Sequence, residues 1–117
     1  MSENLSESKC EACSVNASAL NEQEINEFLL RIPSWIVHED DGIKRLICSF
    51  AFSDYENSVN FTNKIAKLAE EEDHHPEIIL EWGNVTVSWW SHKIKGLHKN
   101  DFICASKTDE IFKNHSH

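Results

Sequence analysis

The sequence of 117 residues has no long apolar run and contains little glycine or proline. None of its hydrophobic segments approaches the roughly 20 residues that cross a bilayer, and the N-terminus lacks the basic and apolar regions of a signal peptide. Its 40% hydrophobic and 26% charged residues are typical of an ordinary globular chain rather than a disordered one. We therefore expect one globular domain in the cytoplasm, with no membrane association.

Positive charge is also scarce. Eleven lysines and arginines stand against twenty acidic residues, which gives a net charge of −9. Such a surface repels phosphate backbones, and no stripe of basic residues concentrates positive charge. The composition therefore argues against direct binding to nucleic acid.

Cysteine is present at four positions, and only Cys10 and Cys13 are closely spaced. Their C-x-x-C arrangement is half of a zinc site, but no second pair of ligands follows it. A redox role would need a strand before the motif and a helix after it, whereas serine and asparagine surround it here. Incidental thiols in a flexible N-terminal extension (residues 1–19) are the favoured interpretation, with a metal or redox site as the alternative.

The apolar pattern predicts three helices and two hairpins. They cover residues 20–33 (helix), 34–52 (hairpin turning at 40–42), 53–73 (helix), 77–92 (hairpin turning at Gly83-Asn84) and about 98–112 (helix). Since neither hairpin needs a crossover, the expected fold class is α+β, in the order α-β-β-α-β-β-α. It consists of a four-stranded antiparallel sheet with three helices on one face. The domain spans residues 20–113, followed by a C-terminal tail (114–117).

Several side chains have a predicted place in this fold. Capping boxes are expected at Asn21–Glu24 and Ser53–Glu56, and Cys48 is expected to be a small core residue. Trp82 is expected to pack in the core rather than contact a ligand. The buried stripe of the second helix is predicted to comprise Val59, Phe61, Ile65, Ala66, Leu68 and Ala69.

The segment EEEDHHP, residues 70–76, is the main candidate for function. Acidic residues lie at the C-terminal end of the second helix, where the helix dipole disfavours them, and Pro76 keeps His75 out of the helix. A hairpin returns its last residue to its start, so His92 should lie beside His74 and His75. Three neighbouring imidazoles suit proton transfer, zinc binding or a structural role, and the first is favoured.

The spacing E-x-x-x-HHP-x5-W-x9-H-x8-D, from Glu70 to Asp101, resembles the signature of the pterin-4a-carbinolamine dehydratases. The resemblance extends over about residues 20–112 and includes Trp35. It implies the same fold, assembled as a homodimer or homotetramer. It also implies removal of water from a 4a-hydroxytetrahydropterin to give quinonoid dihydropterin. That reaction recycles the cofactor of aromatic amino-acid hydroxylases, chiefly phenylalanine hydroxylase.

The resemblance also implies the residues of the site. His74 and His92 would be the acid–base pair, with His75 as an auxiliary or substrate-positioning catalytic residue; no metal and no organic cofactor is required. The implied substrate-binding residues are Glu70, Asp73, Pro76, Ser91, Trp35 and Asp101.

The chain departs from the family pattern beside the last helix. A serine or threonine commonly precedes that helix, and an arginine often precedes the aspartate; here His98 and Asn100 stand in these places. His98 is a poorer N-cap by propensity. Asp101 itself has two interpretations. It is either a first-turn acid that the helix dipole favours or a direct part of the site.

A second function remains open beside catalysis. Some relatives serve as dimerisation cofactors or regulators of transcription factors, and such a module would act through helix surfaces. The complete histidine set favours the enzyme.

Overall fold

The computed structural model describes residues 19–115 and contains the seven predicted elements in the predicted order. They are α1 (Glu22–Leu29), β1 (Ile36–Asp40), β2 (Ile43–Ala51), α2 (Tyr55–Glu72), β3 (Glu77–Glu81), β4 (Asn84–Trp89) and α3 (Lys99–Asn114). The N-terminal extension with Cys10 and Cys13 lies outside the described residues. Within residues 19–115, no helix is long and apolar enough to cross a membrane.

The four strands form one antiparallel sheet in the order β1-β2-β4-β3. The first hairpin turns at Asp41-Gly42, and both residues have positive φ (53° and 78°), as a tight two-residue turn requires. The second hairpin turns at Trp82-Gly83, one residue earlier than predicted, because Asn84 already belongs to β4. The fold class predicted from the sequence is confirmed.

Trp82 contradicts its prediction as a core residue. It occupies the first position of the two-residue turn, and 72% of its surface is exposed. A side chain at a hairpin tip projects beyond the end of the sheet and stays exposed. The aromatic type of Trp82 was therefore misleading as an indication of burial.

The helices cover one face of the sheet and enclose an aromatic core. Phe50, Phe61 and Phe112 meet with ring centroids 4.9–5.7 Å apart. Cys48 lies in the same core, and its burial, together with the nearby charge of Asp109, raises the pKa of its thiol to about 12. A thiol so difficult to ionise is a poor nucleophile, which confirms Cys48 as a core residue.

Two predictions for α2 need correction. Asp54, rather than Ser53, caps the helix, because its carboxylate accepts the backbone N–H of Asn57 at 2.8 Å. Ala66 is exposed, whereas Ser58 is buried and donates its hydroxyl proton to the carbonyl of Asp54 (3.0 Å). A buried serine whose hydroxyl donates to a carbonyl one turn earlier leaves no polar group unsatisfied in the core. The spacing of apolar residues does not reveal such a serine.

The C-terminal end of α3 extends further than predicted. The helix continues to Asn114, and His115 is buried against the rings of Phe52 and Phe61. The Nδ1 atom of His115 lies 2.8 Å from Nζ of Lys64. The last turn of α3 is therefore fixed against α2, although the sequence assigned these residues to a tail.

A half-buried carboxyl group in α3 makes stability depend on pH. Trp35 donates its indole N–H to Oδ1 of Asp109 at 2.9 Å, while burial raises the pKa of Asp109 above its ordinary value. The folded state then holds this proton more tightly than the unfolded chain, so stability falls as pH rises between the two pKa values.

We predict that Asp109→Asn raises the free energy of unfolding at pH 7, because an amide oxygen keeps the Trp35 contact without a buried charge. The gain should shrink as pH falls towards the ordinary pKa of the carboxyl group. Urea denaturation at several pH values measures this, with Glu39→Gln, a substitution of an exposed residue in β1, as control. An equal difference at every pH would contradict the electrostatic explanation.

Candidate active site

The turn after α2 sends two consecutive histidines in different directions. Asp73 adopts the left-handed conformation (φ 49°, ψ 43°), and the N–H of His74 bonds to the carbonyl of Ala69 at 3.1 Å. This closes the helix in the manner of a Schellman motif. His74 then points into the protein, where only 5% of it is exposed, whereas His75 is exposed.

His74 is held by a hydrogen bond to a carboxylate and by an aromatic ring. Its Nε2 lies 2.6 Å from Oδ1 of Asp101, and its ring stacks on Trp89 with centroids 5.6 Å apart and planes at 13°. Because a carboxylate only accepts hydrogen bonds, Nε2 carries the proton. In the neutral form of this ring, the lone pair is then on Nδ1.

Asp101 is completely buried in the first turn of α3, and both its oxygens are engaged. Oδ2 accepts the hydroxyl proton of Ser91 and the backbone N–H of His98, each at 2.8 Å. Asp101 thus closes the N-terminus of α3, as expected of a first-turn acid, and it also contacts His74. His98 completes the cap, because its Nδ1 accepts the N–H of Asn100 at 3.3 Å.

His92 lies on the exposed side of the same hairpin end. Its Nε2 is 3.2 Å from the backbone carbonyl of His75, and its ring stacks on Trp90 with centroids 4.4 Å apart. A carbonyl oxygen only accepts, so Nε2 donates and Nδ1 is the nitrogen left for a ligand. The hairpin thus brings His92 into contact with the backbone of His75, as the sequence predicts.

The remaining predicted site residues fall into two groups. Glu70 lies at the rim, where its Oε1 is 3.3 Å from Nε2 of His75, and Asp73 and Pro76 shape the same turn. Trp35, by contrast, is buried against Asp109, eight residues and about 12 Å further along α3 than Asp101. The structure does not bring Trp35 together with the histidines.

Sequence reasoning missed the partners that lie behind the imidazoles. Trp89 and Trp90 each stack on a histidine, and the guanidinium of Arg45 lies 4.0 Å from the ring centre of Trp90. Adjacent tryptophans on a strand face opposite sides of a sheet. The sequence WWSH could therefore have indicated that each face carries an aromatic ring close to a histidine. Within residues 19–115, no group of three or more histidine, cysteine or acidic side chains has an arrangement that holds a metal.

Comparison with known proteins agrees with this geometry. The sequence model of the family described as "Pterin 4 alpha carbinolamine dehydratase" matches residues 18–111, which is most of the chain. The chain belongs to this family. The match includes every histidine, tryptophan and acidic residue placed in the site above.

Curated relatives within the pterin dehydratase family resemble the chain over nearly its whole length. A protein of Photobacterium profundum named "Putative pterin-4-alpha-carbinolamine dehydratase" is 58% identical over 110 residues, 94% of this chain and 98% of the relative. A protein of Vibrio vulnificus with the same name is 53% identical over 109 residues, 93% of this chain and 99% of the relative.

Solved structures show the same fold. The Brucella melitensis "transcriptional coactivator/pterin dehydratase" superposes with a TM-score of 0.72 at 32% identity, covering 80% of this chain and 98% of that one. A "pterin dehydratase-like protein" described as a RuBisCO assembly factor reaches 0.59 at 23% identity, covering 71% and 93%. The second likeness concerns the fold alone.

We predict that Asp101→Asn lowers the free energy of unfolding by about 2 kcal/mol, because hydrogen bonds to a buried charged group are worth roughly 1.5–3 kcal/mol. Urea denaturation measures the loss. Asp73→Asn, an exposed change that keeps the left-handed conformation accessible, is the control and should shift stability by less than about 0.5 kcal/mol. Equal effects of the two substitutions would contradict the structural role of Asp101.

Proposed function

We propose that the protein is a dehydratase that converts 4a-hydroxytetrahydropterin to quinonoid dihydropterin and water by histidine acid–base catalysis. The observation that carries the proposal is the contact of His92 with the backbone of His75 at one end of the β3–β4 hairpin, directly after His74 and its hydrogen bond to Asp101. Membership of the pterin dehydratase family supports the same substrate class.

The reaction requires two proton transfers. The hydroxyl group at C4a gains a proton and leaves as water, while a ring nitrogen of the pterin loses one. Groups that titrate near neutrality perform such transfers well, and each contributes roughly 10²–10⁴ in rate. His74 and His92 are the proposed pair, and both act through Nδ1 because their Nε2 atoms are already bonded.

Asp101 has a positioning role in this scheme. Its carboxylate fixes the tautomer of His74 and stabilises the imidazolium when His74 takes a proton. Ser91 and the backbone of His98 keep the carboxylate in place, so their effect on the reaction passes through His74. Trp35 acts further away, by fixing α3 through Asp109.

The exposed rim of the site would receive the pterin. His75 and Glu70 are both exposed and bond to one another at 3.3 Å, which orients the ring of His75 towards a bound ligand. Asp73 and Pro76 fix the backbone of the same turn.

We also propose that the protein acts as a homodimer or homotetramer in the cytoplasm and serves an aromatic amino-acid hydroxylase such as phenylalanine hydroxylase. Support for assembly comes from the edge strand β3, where 48% of Ile79 is exposed next to the open tip at Trp82. A strand edge with apolar side chains favours pairing with another chain.

We predict that His92→Ala lowers the rate of dehydration of chemically generated 4a-hydroxytetrahydropterin by about 10²–10⁴-fold. Stopped-flow absorbance with purified protein measures the rate. His38→Ala, in the exposed face of β1, is the matched control and should retain wild-type turnover. Normal turnover by His92→Ala would remove His92 from the mechanism.

A non-catalytic role as a dimerisation or regulatory cofactor of a transcription factor is the second candidate. The Brucella melitensis relative, a "transcriptional coactivator/pterin dehydratase", favours it. Purification from cell extract distinguishes the two functions. Recovery of a transcription factor by a protein that shows no pterin activity would reverse the order of the candidates.

A further inference from the structure

Three side chains form a layered stack on the open face of the sheet. The guanidinium carbon of Arg45 lies 4.0 Å from the ring centre of Trp90, and the imidazole of His92 lies 4.4 Å from it with the planes at 27°. Trp90 follows directly after β4, and Arg45 belongs to the neighbouring strand β2. The stack therefore joins the centre of the sheet to the exposed histidine.

The strand register places Arg45 and His92 on opposite faces of the indole. Arg45 reaches across β4 to Glu77, with Nη1 3.6 Å from Oε1, and Glu77 pairs with Ser88. Ser88 precedes Trp90 by two residues, whereas His92 follows it by two. Arg45 thus passes on the Ser88 side of the ring, and the other face is left for the imidazole.

Arg45 is itself anchored from both sides. Asp40 on β1 lies 3.5 Å from Nη2, and Glu77 on β3 approaches Nη1. Only 19% of the Arg45 side chain is exposed, so the cation meets the indole in a largely desolvated setting, where such contacts are strongest. The indole is consequently held by three strands rather than by its own backbone alone.

His92 depends on this support because its side chain is otherwise exposed. One hydrogen bond from Nε2 to the carbonyl of His75 fixes a single point of the ring, and rotation about that point would move Nδ1. Stacking on Trp90 fixes the plane of the ring as well. A plane and a point together determine where Nδ1 lies.

We propose that Trp90, supported by Arg45, is a positioning residue that holds the imidazole of His92 in the orientation needed for proton transfer at Nδ1. This inference rests on the proposed dehydratase function. A displacement of about 1 Å in a reacting group can cost 10²-fold in rate, so loss of the stack should lower kcat far more than it changes KM.

Four variants test the role of Trp90. We expect Trp90→Leu to lower kcat by about 10–100-fold with KM within about threefold, and Trp90→Phe, which keeps a flat face, to restore most of the loss. Trp82→Leu makes the same chemical change at the exposed hairpin tip and should retain the wild-type rate. In a His92→Ala background, Trp90→Leu should cause no further loss, because residues that act together are not additive.

Two further measurements separate positioning from a general effect on folding. The ring-current shift of the His92 protons in the NMR spectrum reports the stack directly, and Trp90→Leu should abolish it while Trp82→Leu leaves it intact. Arg45→Gln leaves the indole in place and should reduce kcat by about threefold, which keeps the test available if Trp90→Leu does not fold.

Specific results would overturn the proposal. They are an unchanged kcat in a folded Trp90→Leu protein, an equal additional loss in the His92→Ala background, or an absent ring-current shift in the wild type. An inactive wild-type protein would instead overturn the proposed function, and with it the catalytic consequence of the stack. The NMR shift identifies which of the two has failed, since it does not depend on turnover.

Discussion

The contacts of one buried carboxylate hold the candidate site together. Asp101 receives hydrogen bonds from His74, which follows α2, from Ser91, which follows β4, and from the backbone of His98, which precedes α3. A buried charge is tolerated only when such donors satisfy it. Because the buried carboxylate of Asp101 needs hydrogen-bond donors, three separate chain segments meet around it, and one of them carries His74.

The acidic run at the end of α2 contradicts the helix dipole, yet three of its four members have a structural role. Glu72 pairs with Lys107 on α3, Glu70 reaches His75, and the backbone of Asp73 turns the chain out of the helix. Glu71, by contrast, is exposed. Local preference is thus outweighed by tertiary contacts that tie α2 to α3 and to the histidine turn.

The sequence predicted the position of the site better than the direction of its side chains. Strand pairing fixes which residues meet across a hairpin, so the approach of His92 to the backbone of His75 followed from topology alone. Which histidine is buried depends on the left-handed conformation of Asp73. The spacing of apolar residues does not predict that conformation for an aspartate. At Trp82 the residue type was misleading: an aromatic side chain suggested burial, but its position in the turn leaves it exposed.

The pair of adjacent tryptophans explains how one hairpin supports two unlike imidazoles. Trp89 faces the helices and stacks on His74, whereas Trp90 faces the open side and stacks on His92. One imidazole is thereby buried beside a carboxylate and the other is exposed beside a cation-backed indole. In the proposed reaction, the proton donor and the proton acceptor must differ in their surroundings to play opposite parts at one pH. Consecutive side chains of one strand point to opposite faces of the sheet, so Trp89 and Trp90 place the two imidazoles in different environments.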